Sequence, residues 1–290
     1  MFTRIGIVAK THEPAVKNAL ETLIHMLNER GLEVLVDRRT DTTGVAGEFH
    51  SVSTAALPDG CDLVVSLGGD GTLLQSAGLI YPRDVPLLGV NLGRLGFLTD
   101  LAQVDASSGL NAVLDGHYVS EERAVLGCEI VRGGEVVASE DGLNDVVVQK
   151  WNTARLITLA TYVDGKFLHS QRADGMIVAT PTGSTAYSLS GGGPILDPQV
   201  GALVLVPICP HTLTNRPIVV SDSVQIEIHV ATEREDESCV TCDGNSFQAL
   251  LPGDHVRVFR RKQSITLLHP ANYDHFATLR AKLNWGRKPC

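Results

Sequence analysis

In the stretch LVVSLGGDGTLLQSAGLI, residues 63–80, the ionisable side chain Asp70 stands between glycines at the end of an apolar run. Strand-like sequence leads into the turn Gly68, Gly69, Asp70, Gly71, Thr72 and then into helix-like sequence. That order aims backbone N–H groups and a helix N-terminus at an anion such as phosphate. Neither G-x-G-x-x-G nor G-K-[ST] is present, which excludes the two commonest nucleotide fingerprints. A carboxylate flanked by glycines can approach a substrate closely and orient or deprotonate a hydroxyl that attacks a phosphoryl group. An Asp at a helix start can equally be a cap, and the motif alone leaves both readings open.

Three further segments carry residue types suited to a ligand. NLGRLGFLTD (91–100) has glycines at 93 and 96, which suit either a close backbone approach or a packed turn. LND (143–145) sets the Asn144 amide beside the Asp145 carboxylate before a β-like run, a pair that suits sugar hydroxyls or a simple turn. RADGMIVATPTGSTAYSLSGGGP (172–194) gathers three threonines, three serines and Tyr187 between residues 180 and 190. Its entry from the apolar MIVA run and its tyrosine mark a ligand-lining loop rather than a linker. PHTLTNRP (210–217) reads as a turn in which His211 is a buried hydrogen-bonding residue. No segment has metal-ligand spacing or a nucleophile with an evident base, so hydrolase chemistry is disfavoured.

The elements that position these residues fall into two kinds. RIGIVAK (4–10) reads as a buried strand, EPAVKNALETLIHMLNERG as an amphipathic helix and LEVLVD (32–37) as a second strand, the start of a parallel α/β sheet. Residues 38–60 read as loop with a short helix; DLVVSL and VPLLGVN resume the sheet, and TLLQSAGLI and SSGLNAVLDG are helical. Beyond about Ser120, short Val-, Ile- and Thr-rich runs punctuated by Gly, Asp and Asn indicate a mainly β domain. NYDHFATLRAKLNW is helical and packs back on the main body.

The 290 residues are 43% hydrophobic, enough for one large or two ordinary domains. A net charge of -9 argues against a nucleic-acid surface. Of six cysteines only Cys239 and Cys242 have metal or redox spacing, without a second pair, and they read as structural thiols. No apolar run approaches the ~18 residues of a membrane span, and MFTRIGIVAK is too short in its apolar part for a signal peptide. A cytoplasmic protein in a reducing compartment is expected.

Taken in order, GGDGT, NLGRLGFLTD, LND, DGMIVATPTGSTAYSLSGGGP, PHTLTNRP and CDG resemble the NAD kinases over roughly residues 4–285. GGDGT alone is shared with phosphofructokinases and lipid kinases, which lack the long PTGSTAYSLS segment. The resemblance implies an α/β domain over 1–120, a β-rich dinucleotide-binding domain over 121–269 and a C-terminal helix within 270–290 that returns to the first domain, with the site between domains. It implies transfer of the γ-phosphoryl of ATP to the 2′-hydroxyl of the adenosine ribose of NAD, with Mg²⁺ or another divalent metal on the nucleotide phosphates and no protein metal ligand.

Carried over by position, Asp70 activates the ribose hydroxyl, and Gly68, Gly69, Gly71 and Thr72 form the phosphate loop, with Gly71 also at the NAD site. Asn144 and Asp145 bind NAD hydroxyls; many members have Glu where this chain has Asp145. Asp174 and Thr185, Ala186, Tyr187, Ser188, Leu189 and Ser190 line the dinucleotide site. Arg155 and Arg172 match arginines of Gram-negative enzymes, and Arg172 implies a preference for ATP and oxidised NAD. Asn245 stands where glutamine is common. Part of the lining comes from a neighbouring subunit in this family, which implies a homodimer or homotetramer. The rival readings are a phosphofructokinase-like or lipid kinase and a non-catalytic dinucleotide sensor.

Overall fold

The computed structural model describes residues 2–9, 14–93, 96–231, 237–244 and 248–286. The chain divides into two compact units, 1–122 with 265–290, and 123–264.

In the first unit, β1 (Arg4–Ala9), α1 (Pro14–Glu29), β2 (Glu33–Asp37), β3 (His50–Val52), α2 (Leu57–Gly60), β4 (Leu63–Gly68), α3 (Asp70–Ile80), β5 (Leu87–Asn91), β6 (Leu101–Ala102), α4 (Ala106–Leu114) and β7 (Tyr118–Arg123) follow in order. The apolar face of α1, with Val16, Leu20, Leu23, Ile24 and Leu27, packs in one core cluster with the strand residues Ile5, Ile7, Val34, Val36 and Val65. The sheet runs β3-β2-β1-β4-β5, then the returning strand Ile265–Pro270, then β7. Its central pairs β1·β2, β1·β4 and β4·β5 are parallel, and Leu267 and Leu268 pair in parallel with Leu87 and Leu88. The strand after Ser264, which the β-rich pattern assigns to the second domain, thus completes the first sheet. Pairing partners are set by tertiary register, which local composition does not reveal.

The second unit is antiparallel. Its strands are β8 (Leu126–Arg132), β9 (Glu135–Gly142), β10 (Asp145–Lys150), β11 (Ile157–Val163), β12 (Lys166–Ala173), β13 (Gly175–Ala179), β14 (Ala202–Ile208), β15 (Ile218–Ser221), β16 (Ile226–Ala231), β17 (Ser238–Cys242), β18 (Gln248–Ala249) and β19 (His255–Arg260), with the short helix α5 (Tyr187–Ser190) between β13 and β14. One sheet is ordered β15-β14-β13-β10-β17-β18 and the other β12-β11-β16-β19-β8-β9. Alternate residues of the two sheets meet in one core, including Val146, Val148, Met176 and Val178 from the first and Leu126, Leu159, Ile228 and Val256 from the second. The other face of the first sheet carries Val147, Ile177, Val204 and Val206, against which Leu196 packs.

After the returning strand, β20 (Ile265–Pro270), the helix α6 (His275–Leu283) is capped by Asp274, whose carboxylate accepts the Phe276 N–H at 2.8 Å. Lys282 on α6 lies over the Phe97 ring, 4.9 Å from its centroid, so α6 does return to the first unit. The helix occupies a shorter span than 270–290 because the first residue of that range ends β20 and Asp274 sets the start.

Candidate functional site

In the first unit, β4 delivers a buried run to the glycine turn and α3 begins at Asp70. The cap position belongs to Gly69, with extended backbone and no side-chain cap bond, so the capping reading of Asp70 does not hold. Its carboxylate turns instead to the loop before β6. Oδ2 accepts the Phe97 N–H at 2.8 Å, and Oδ1 accepts the Leu98 N–H at 3.0 Å and the Thr99 hydroxyl at 3.2 Å. A Cβ at Gly96 would overlap both the Asp70 carboxylate and the Thr99 hydroxyl, so glycine there is required by this close approach. The same loop is tied at its start, where the Leu92 N–H donates to the Gly68 carbonyl at 2.9 Å.

A Cβ at Gly69 or Gly71 would meet nothing within 4 Å, which leaves the turn open on that side. Gly68 differs, since a Cβ there would strike the buried Thr72 side chain; these two residues shape the turn from within.

In the second unit the organising group is Asp243, the acid of the CDG motif. It accepts N–H bonds from Leu143 at 2.8 Å, Asn144 at 2.7 Å and Asp145 at 3.1 Å. Thr180 fastens the same segment from the other side. Its hydroxyl donates to the Leu143 carbonyl at 2.6 Å and its N–H to the Asn144 carbonyl at 2.9 Å. A Cβ at Gly183 would overlap the Asn144 carbonyl, so the Thr180–Gly183 turn can close on Asn144 only with glycine at 183. Asn144 and Asp145 are thereby held rigidly, and the Asn144 Oδ1 is buried with no hydrogen-bond partner.

Burial pushes the Asp145 carboxyl up to about 7, with the charge of Asp243 as the second cause. Burial also raises Asp243, opposed by its three backbone N–H bonds. Folded Asp145 keeps its proton to about pH 7, while the unfolded chain releases it near 3.8. Between these values the folded state binds more protons, so this group's contribution to stability falls as pH rises. Asp145→Asn, which cannot ionise, is expected to flatten the decline in unfolding free energy across that window; denaturant titrations at several pH values check it, and an unchanged slope would refute the assignment.

The 180–190 segment is not an irregular loop. Thr182–Thr185 forms a 3-10 turn, in which the Ser184 and Thr185 hydroxyls bond backbone carbonyls three residues back, and Tyr187–Ser190 forms the short helix α5. Ser184 donates to the Pro181 carbonyl at 2.6 Å and accepts the Leu196 N–H at 2.9 Å. Thr185, Ala186 and Leu189 are half-buried, Ser190 is exposed, and Ser188 is buried with its hydroxyl unpartnered. Tyr187 is 42% exposed and so is not a core ring. Asp174 pairs with Lys150 at 2.7 Å.

Arg155 and Arg172 are exposed, the latter on the edge strand β12. His211 is exposed rather than buried, and its backbone N–H donates to the Arg172 carbonyl at 2.8 Å, so the PHTLTNRP turn is tied through backbone. Asn245 lies outside the described residues. The sequence reading passed over Asp243 and Thr180, although both stand inside quoted motifs. An acid followed by glycine at a strand end was the available signal, and the backbone at Asp243 does turn left-handed, with φ 51°.

Family models for the ATP-NAD kinase N-terminal domain and the ATP-NAD kinase C-terminal domain match residues 5–118 and 143–269. The chain belongs to the NAD kinase family. An NAD kinase of Chromohalobacter salexigens is 43% identical over 287 residues, covering 99% of this chain and 98% of that protein. One of Thiobacillus denitrificans is 45% identical with the same coverage. Among solved structures, yeast NADH kinase complexed with NADH superposes with a TM-score of 0.90 at 25% identity, over 99% of this chain and 89% of that one. An NAD kinase from Archaeoglobus fulgidus in complex with ATP gives 0.77 at 26% identity, over 97% and 99%. As a member of the NAD kinase family this chain is an ATP-dependent kinase.

Proposed function

We propose that Asp70 accepts the proton of the adenosine-ribose 2′-hydroxyl of NAD as that oxygen attacks the γ-phosphoryl of ATP, breaking the bond to the β,γ-bridging oxygen, so that ADP leaves and NADP forms. A carboxylate offers about four lone-pair sites. Three are taken by the Phe97, Leu98 and Thr99 donors, and the fourth, on Oδ2, is the one for the hydroxyl. The same three bonds fix the carboxylate's aim, so little orientation remains to be acquired during reaction. The open side of Gly69 and Gly71, at the start of α3, suits phosphate. A divalent cation, Mg²⁺ or similar, would ride on the ATP phosphates and draw charge from the transferring group; Asp70 is the one carboxylate of the turn that could meet its hydration shell.

Recognition of the dinucleotide falls to the second unit. The observation that carries this reading is the buried Asn144 Oδ1 without a partner, beside a carboxyl held against ionisation by burial. An orphaned acceptor there is costly, and ribose hydroxyls supply the missing donors. Asp174, Thr185, Ala186, Ser188, Leu189 and Ser190 complete the lining, with Arg155 and Arg172 at its border and Arg172 favouring oxidised NAD. Assembly as a dimer or tetramer, with lining shared between copies, and a cytoplasmic location complete the proposal; no helix among the described residues is long and apolar enough to cross a membrane.

The direct test is ATP-dependent formation of NADP by the purified chain, with fructose 6-phosphate and diacylglycerol as rival acceptors and a chelator as a control. NADP formation lost on chelation is expected; NAD binding without turnover would favour the sensor reading. Tyr187→Ala is expected to weaken NAD binding by an amount typical of lost aromatic stacking, about 1–3 kcal/mol, while the melting midpoint holds because the ring is exposed. Calorimetric titration beside a melting curve checks it, and unaltered affinity would return Tyr187 to a packing role.

A further inference from the structure

The outward face of the second sheet in the β unit carries a group of side chains that the reaction does not use. Antiparallel pairing of β16 and β19 sets His229 directly opposite His255. Glu227, two residues from His229 on the same strand, points to the same face. The facing core residues Ile226, Ile228, Val256 and Val258 alternate with these positions and are buried, which fixes the three polar residues outward. One ligand atom from each of Glu227, His229 and His255 lies within 4.8 Å of the others. The two imidazoles are stacked, with centroids 4.6 Å apart and planes 5° from parallel, and Tyr162 flanks His229 at 5.0 Å.

We propose that Glu227, His229 and His255 form a binding site for a borderline transition-metal cation of the Zn²⁺ class. Two imidazole nitrogens and one carboxylate are a donor set that suits Zn²⁺, Ni²⁺ and Cu²⁺ and disfavours Mg²⁺, which selects oxygen. The carboxylate is already oriented for the role. Gln225 Nε2 donates to Glu227 Oε1 at 2.8 Å, while Oε2 faces His229 Nε2 at 3.5 Å. Outer partners of this kind fix the direction in which a ligand presents its lone pair.

The charges around the site do not block it. Arg257 stands opposite Glu227 in the register, but its guanidinium pairs with Glu129 at 3.0 Å. Burial, and next the neighbouring His229, hold the His255 imidazole below the usual histidine range. Three ligands leave a fourth position for water. A bound ion would staple two adjacent strands whose residues lie 26 positions apart in sequence, a juxtaposition that linear ligand spacing does not reveal. This proposal is independent of the catalytic reading, since none of its residues belongs to the machinery described above.

The test is titration of the purified full chain, without nucleotide, with Zn²⁺ followed by calorimetry, alongside melting curves with and without the metal. One equivalent is expected to bind and to raise the melting midpoint. His229→Ala and His255→Gln, each verified as folded by its metal-free melt, are expected to weaken binding by about tenfold or more, the range seen even for lost outer partners. Cys209→Ser removes an exposed thiol as a rival ligand and is expected to leave binding unchanged. Affinity that survives in both histidine variants, no binding in the parent chain, or loss in Cys209→Ser alone would each overturn the site.

Discussion

Replacing Asp70 by Asn is expected to slow single-turnover phosphorylation of saturating NAD by roughly 10²–10⁴-fold, the loss of a general base, or about 3–5 kcal/mol of barrier. Asn also disturbs the fold locally. Its Oδ1 can replace one carboxylate oxygen, but its amide nitrogen then faces either the Phe97 N–H or the Leu98 and Thr99 donors. Leaving a donor unsatisfied costs about 1–3 kcal/mol, so a modest fall in melting midpoint should accompany the kinetic loss. Thr99→Val separates the two effects. It removes one loop bond and keeps the carboxylate, and its rate should stay within about a factor of ten of the parent, well short of the loss of a base. An Asp70→Asn variant that keeps more than about a tenth of the parent rate would show that the carboxylate only anchors the loop.

Asp243→Ala is expected to have the largest effect on the dinucleotide-binding unit. Three backbone N–H groups, at 143, 144 and 145, lose their acceptor together. Orphaned buried donors of this kind place the loss on the order of 3–5 kcal/mol, with NAD affinity falling as Asn144 and Asp145 lose their fixed positions. Asp243→Asn is the milder companion, because one oxygen can still accept two of the three bonds. It also removes the charge that helps raise Asp145, so the Asp145 titration should move below about 7. Carbon-detected NMR titration of the carboxyl, with a melting curve for each variant, measures both. An Asp145 titration that does not move in Asp243→Asn would mean that burial alone sets it.

How much of this was legible beforehand follows from the range of the interactions. The β1, α1, β2 and β5 elements announce themselves through local periodicity, and the α/β followed by β-rich order came through for the same reason. The motif residues Asp70, Asn144 and Asp145 were visible as types out of place in turns. Their partners were not. The donors to Asp70 come from 27 to 29 residues away and the acceptor for the 143–145 amides from about 100 away, so no window of sequence contains both ends. The His229–His255 pair is hidden likewise, because only strand register brings it together. The returning strand was misassigned since SITLLHP has the same β-branched and apolar composition as the strands before it. His211 was misjudged because a histidine between prolines says nothing about which side of a turn faces water.

That returning strand also sets an order of events at the ribosome. The first sheet lacks a strand between β5 and β7 until residues 265–270 have been made. At typical synthesis rates the 142 residues of the intervening unit take roughly 7–28 s to emerge. Throughout that interval part of the β5 edge stays open, exposing backbone groups of the kind that template mispairing. The β unit, contiguous in the chain, can finish first, and the first unit, although most of it is synthesised earlier, must wait for residues 265–270. Nascent-chain proteolysis of arrested lengths would register this as late protection of residues 1–122, after that of 123–264.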